Sequence, residues 1–188
     1  VDTGAMYRAM ALYLLRLGVS PEDSDKIAKA CMQADISIEY QKGEQVVLLN
    51  GENVNAFLRT EEVGNMASYS SAVSAVREKL VELQRKLAKT TDVVMDGRDI
   101  ASVVLPDADV KVYLTASSHT RAKRRYMELI EKGETADLEK IEQDIIERDY
   151  RDMHREHSPL VQAEDAVLID SSNLTIEEVT ERILALCR

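Results

Sequence analysis

Val93-Val94-Met95-Asp96-Gly97-Arg98-Asp99 is the stretch on which the fold turns. Three consecutive apolar residues predict a short buried strand, and Asp96-Gly97 ends it. Arg98 and Asp99 then stand at the carboxyl end of that strand, where open α/β sheets bind their ligands. A cation beside a carboxylate can hold one phosphate and read one polar group. The same two residues would equally serve a surface turn with a structural ion pair. Further on, Val110-Lys-Val-Tyr-Leu114 predicts a second strand, which leads through Thr115-Ala-Ser-Ser118 into an arginine-rich helix. Ala166-Val-Leu-Ile169 predicts a third. Strands spaced by helices imply a parallel sheet and an α/β fold.

The helices around these strands carry their own boundary signals. Thr3 to Leu17 is expected to be helical, capped by Asp2 or Thr3 and closed by Gly18. Ser20-Pro-Glu-Asp starts a second helix towards Ala34. Between 36 and 54 the period changes: Ile36, Ile38 and Tyr40 alternate with polar residues, and Asn50-Gly51 follows Val46-Val-Leu-Leu49. Asn-Gly after an apolar run is a hairpin signal, so a small antiparallel sheet is expected here, inserted in the main fold. An amphipathic helix is expected from Ser71 to about Lys89, with Val73, Val76, Leu80, Leu83 and Leu87 on one stripe. Helices at about 118–132 and 137–155 would form a hairpin, and Thr175 with Glu178 a capping box for the last helix.

Composition limits the function classes. With 45% hydrophobic and 31% charged residues, the 188-residue chain reads as a soluble globular domain. No apolar run approaches the about 20 residues that span a bilayer. A net charge of −10 argues against binding nucleic acid through a basic face. Arginines nevertheless gather at 121, 124, 125, 148, 151 and 155, interleaved with acids. That pattern suits capture of a compact anion. Cys31 and Cys187 have neither disulfide-framework nor zinc spacing and fit a reducing cytoplasm. His154 and His157 lack a nearby third ligand, so no metal site is expected. Val1-Asp-Thr-Gly lacks an initiator methionine and reads as the tail of a strand, so the chain is expected to be a fragment.

Two groups of residues have the chemistry of a phosphate site. On the helix 137–155, Arg148, Arg151 and Arg155 share a face, with Asp152 one turn after Arg148. They fit either a solvated helix with intrahelical ion pairs or a mobile arginine lid, since arginine forks bind phosphate bidentately and stay charged when water leaves. At the front, Thr3 and Gly4 open a helix whose N-terminus is a ready anion site, with Arg8 one to two turns in. A simple capped helix with Arg8 on its surface is the other possibility.

Taken together, Asp2-Thr-Gly-Ala-Met-Tyr-Arg8, Arg59-Thr-Glu-Glu-Val-Gly-Asn65, Val76-Arg77-Glu78, Asp96-Gly-Arg-Asp99, Ala116-Ser-Ser118 and Glu147-Arg-Asp-Tyr-Arg-Asp152 resemble the bacterial cytidylate (CMP) kinases, in the family's order and over essentially the whole chain. The resemblance implies a P-loop NTPase-type three-layer fold with a parallel central sheet. Its core would be 1–34 and 69–188, its NMP-binding insert with the small antiparallel sheet 35–68, and its helical lid about 120–158. It implies an enzyme that transfers the γ-phosphate of ATP, carried with Mg²⁺, to CMP or dCMP. The cysteine usage makes it cytoplasmic, and with no evident partner face in the charge pattern a monomer is the default. Thr3, Arg8, Ser68, Arg77, Arg98, Asp99, Arg148, Asp152 and Arg155 match the family's CMP-binding positions, and Arg98, Arg148 and Arg155 would serve the transfer itself. Thr3 stands where serine is common and keeps the hydroxyl. The family's G-x-x-x-x-G-K-[ST] loop does not occur within residues 1–188, so no ATP-site residue is assigned. A non-catalytic nucleotide-binding module, or a kinase of another small phosphate acceptor, is the alternative function.

Overall fold

In the computed structural model, described for residues 1–187, the chain divides into two compact units, Val1–Ile100 and Ala101–Arg188. The first is built around α1 (Thr3–Arg16). Asp2 caps this helix, its carboxylate accepting from the Ala5 amide at 3.0 Å, which satisfies one of the donors that a helix start leaves unpaired. Met6, Met10 and Leu14 recur every four residues and so face one way, into the core. They pack among Ile27 and Cys31 of α2 (Ser24–Cys31), Val63 and Met66 of α3 (Glu61–Ser70), and Val76 and Leu80 of α4 (Ser74–Thr90). Full burial of one such side chain stabilises the fold by about 1.5–3 kcal/mol, so this cluster dominates the unit.

The predicted antiparallel sheet is present in the same unit. Strands β1 (Ile36–Gln41), β2 (Glu44–Leu49) and β3 (Glu52–Asn53) lie in the order β1-β2-β3, with Ile36 opposite Leu49 and Gln41 opposite Glu44. Both connections are two-residue turns with left-handed backbone at each residue, Lys42-Gly43 and Asn50-Gly51. That geometry matches the twist of paired strands. A single 3₁₀ turn, Asn55–Phe57, leads on to α3.

Three sequence expectations are corrected in this unit. The second helix begins at Ser24, because the Asp23 carboxylate accepts from the Lys26 amide and sets the start there rather than at Ser20. The helix expected from Ser71 to about Lys89 is present as α4 but starts at Ser74, and a separate helix that was not expected, α3, ends at Ser70 just before it. Val93–Met95 forms no strand. It makes one isolated parallel bridge, Asp2 to Asp96, flanked by hydrogen bonds from Asp96 N to Val1 O and from Thr3 N to Asp96 O, at 3.1 and 3.2 Å. Pairing along one edge over so few residues leaves Val94 86% exposed.

A one-turn π-helix at Ile100–Val104 spans the start of the second unit. Its parallel sheet has two strands, β4 (Val112–Thr115) and β5 (Val167–Asp170), in register Val112 to Val167. Between them lie α5 (Ser118–Glu131) and α6 (Leu138–His154), and α7 (Ile176–Leu186) follows under the predicted Thr175/Glu178 capping box. The chain is therefore mixed α/β with a small parallel sheet. Among the described residues no helix is long and apolar enough to cross a membrane.

Candidate functional site

Six of the nine residues singled out by sequence lie in the first unit, on four of its segments. Thr3 begins α1 and is buried. Its hydroxyl donates to the Asp96 carbonyl at 2.6 Å, tying the helix start to the Asp96–Asp99 loop. Gly97 sits against that hydroxyl so closely that a Cβ there would lie 2.5 Å from Thr3 Oγ1 and 2.9 Å from Ile100. Only glycine lets the loop approach α1 in this way. Arg8, further along α1, donates to the Leu58 carbonyl at 3.2 Å and runs beside Gly64 of α3.

At the end of the same loop, Asp99 is buried and forms an ion pair with Arg77 of α4, also buried. Arg77 Nη1 donates to the Ser71 carbonyl at 3.2 Å, and the guanidinium lies over the Tyr7 ring, 5.4 Å from its centroid. Arg77 Nε, and Ser68 Oγ on α3, are sealed from solvent without hydrogen-bond partners among the described residues. Buried polar atoms are nearly always paired, so such orphans point to a ligand or a movement that would satisfy them. Arg98 is half-buried beside Asp99. The Asp96 carboxyl is pushed above the usual carboxylate range, first by desolvation and then by the Asp2 carboxylate.

The remaining three, Arg148, Asp152 and Arg155, lie at the end of α6 in the second unit. Asp152 is buried, its carboxylate 3.6 Å from the Arg155 guanidinium. Arg155 Nε donates to the Ser158 carbonyl at 2.6 Å, and the Leu160 amide donates to the Asp152 carbonyl at 2.8 Å, so the chain leaving α6 folds back on the helix end. The α5–α6 hairpin is fastened by a two-point fork from Arg121 to Asp149, at 3.0 and 2.5 Å. Arg121 Nε also donates to the Ala116 carbonyl, and Arg124 Nη2 to the Ser171 carbonyl at 2.6 Å. These two arginines are committed to structure, whereas the sequence showed them only as part of an anion-capturing cluster.

Tyr7 escaped the sequence-level selection although it lies inside a quoted motif. Its one available signal is position: it stands a turn beyond Thr3 on the same helix face.

Comparison with known proteins identifies the family. A family model described as cytidylate kinase matches residues 1–188. A curated cytidylate kinase of Caldicellulosiruptor saccharolyticus is 48% identical over 186 residues, 99% of this chain and 82% of that protein. Those of Geobacter sp. (strain M21) and Lactobacillus johnsonii are each 48% identical, over 96% and 97% of this chain and 78% and 80% of their own lengths. The chain is thus a phosphotransferase that uses ATP as phosphate donor. Within that class it belongs to the cytidylate kinase family.

Proposed function

We propose that the chain phosphorylates CMP or dCMP to CDP or dCDP, with Asp99, Arg77 and Ser68 selecting the base. The buried Arg77–Asp99 pair carries this reading. Cytosine presents an amino donor at N4 and acceptors at N3 and O2. A carboxylate accepts well from N4, and arginine and serine donors suit N3 and O2. The unpaired Arg77 Nε and Ser68 Oγ are donors of that kind. Uracil reverses the polarity at N3 and C4 and would set the Asp99 carboxylate against a carbonyl oxygen. Mismatched buried polar groups discriminate far more strongly than a missing methylene.

The other residues divide the remaining work. Arg8 and Arg98 hold the acceptor phosphate, with Thr3 at the helix start beside them. Arg148 and Asp152 take the ribose hydroxyls. An oxygen of the CMP phosphate attacks the γ-phosphorus of ATP, the bond to the β,γ-bridging oxygen breaks, and ADP leaves. No general base is required, because the acceptor phosphate is already a nucleophile. Arg98, Arg148 and Arg155 stabilise charge on the transferring group. Mg²⁺ carried with ATP would neutralise charge on its phosphates. Family membership supports a P-loop NTPase-type three-layer fold in which 35–68 is the NMP-binding insert and about 120–158 the lid; the cysteine usage supports a cytoplasmic location, and a monomer is the default.

Phosphorylation assays across CMP, UMP and AMP test the assignment. Asp99→Ala should cost CMP about a hundredfold in kcat/KM and leave the KM for ATP nearly unchanged. Equal losses for both nucleotides would refute the role of Asp99.

A further inference from the structure

We infer that Tyr7 is a positioning residue for base selection, its ring face holding the Arg77 guanidinium in the plane that keeps Asp99 aimed at cytosine. This rests on the proposed reading of Arg77 and Asp99 as the groups that recognise the base. The Arg77 guanidinium carbon stands 5.4 Å from the centroid of the Tyr7 ring, within the about 6 Å over which a cation is drawn to an aromatic face. Arg77 is buried, so water competes weakly for its charge. Its hydrogen bonds to the Ser71 carbonyl and to Asp99 run in the guanidinium plane and set its direction there. They do little against tilting out of that plane. The ring supplies the missing constraint from above. A tilt of Arg77 would carry the Asp99 carboxylate with it, because the two share a buried ion pair. Tyr7 also belongs to α1, which carries Thr3 and Arg8, so one rigid helix sets both the base reader and residues proposed to border the acceptor phosphate.

The test is steady-state kinetics of the full chain with CMP and UMP. Tyr7→Phe keeps the ring and should keep the CMP:UMP ratio of kcat/KM within about twofold. Tyr7→Leu should lower that ratio about tenfold, through the KM for CMP and with little effect on kcat. Because Tyr7→Leu also opens space, a second series holds volume nearly constant: phenylalanine analogues at position 7 with increasing ring fluorination. Fluorine drains the negative ring face, so the CMP:UMP ratio should fall step by step. A flat series overturns the inference. Asp99→Ala separates the two levels: a collapsed ratio in that variant with a flat ring series removes the role of Tyr7 alone. An unchanged ratio in Asp99→Ala removes the reading of the base site and the role of Tyr7 with it.

Discussion

Arg77 and Asp99, twenty-two residues apart, form an ion pair whose side chains are each 5% exposed. Removing two charges from water costs several kcal/mol per ion, and their attraction must offset this. Such a pair contributes little net stability, yet losing one partner leaves an uncompensated buried charge. Asp99→Ala and Arg77→Met should each destabilise the fold by about 3–5 kcal/mol in urea unfolding. The double variant Arg77→Met/Asp99→Leu should lose less than either single one. Additive losses would mean that the pair is not closed in solution.

Gly97 is the point at which the Asp96–Asp99 loop touches α1. A Cβ at 2.5 Å from Thr3 Oγ1 is closer than packed atoms come, and the backbone must move to admit it. Gly97→Ala should therefore break the 2.6 Å hydrogen bond from the Thr3 hydroxyl to the Asp96 carbonyl and weaken CMP binding at least tenfold. Calorimetric titration with CMP checks this. Wild-type affinity in Gly97→Ala would show that the loop has room to spare.

Local signals in the chain reported local structure well. Asp2 at the start of α1, Asn50-Gly51 at a turn, and Thr175 with Glu178 each act within four residues, and each is found doing what its chemistry predicts. Val93–Met95 failed for the opposite reason: a strand needs neighbours, and a run of apolar residues says nothing about whether its edges are paired. Helix α3 went unread because its start depends on one hydroxyl, that of Thr60 accepting from Val63 N at 3.3 Å, while Gly64 and Asn65 blur its periodicity. At the site, residue types were legible and partnerships were not. Arg77 meets Asp99 and Tyr7 only because α1, α4 and the loop converge, and no spacing along the chain encodes that.

Gln84 on α4 is 1% exposed, and neither Oε1 nor Nε2 has a hydrogen-bond partner among the described residues. An unsatisfied buried polar group costs about 1–3 kcal/mol, whereas an apolar group of similar shape at the same place carries no such penalty. Gln84→Met should stabilise the protein by about 1 kcal/mol, seen as a rise of about 2–4 °C in Tm. A fall in Tm would show that the amide is hydrogen-bonded after all.

Glu128 on α5 accepts from Lys132 at 2.6 Å and pairs with Arg125 at 2.9 Å. The Lys132 hydrogen bond first, and the Arg125 one second, hold its carboxyl down at about 2, against an ordinary 4.5. A carboxylate depressed in this direction stabilises the fold above its unfolded value, and that contribution fades as pH falls from about 4.5 towards about 2. The side chain is 38% exposed, so solvent screening keeps the contribution below about 1 kcal/mol. Glu128→Gln should then be slightly less stable than wild type at pH 7, with the gap closing steadily below pH about 4.5 and shrinking in about 1 M salt. Denaturant midpoints across that range decide it. A gap that persists unchanged into acid would place the effect in packing of the side chain rather than in its charge.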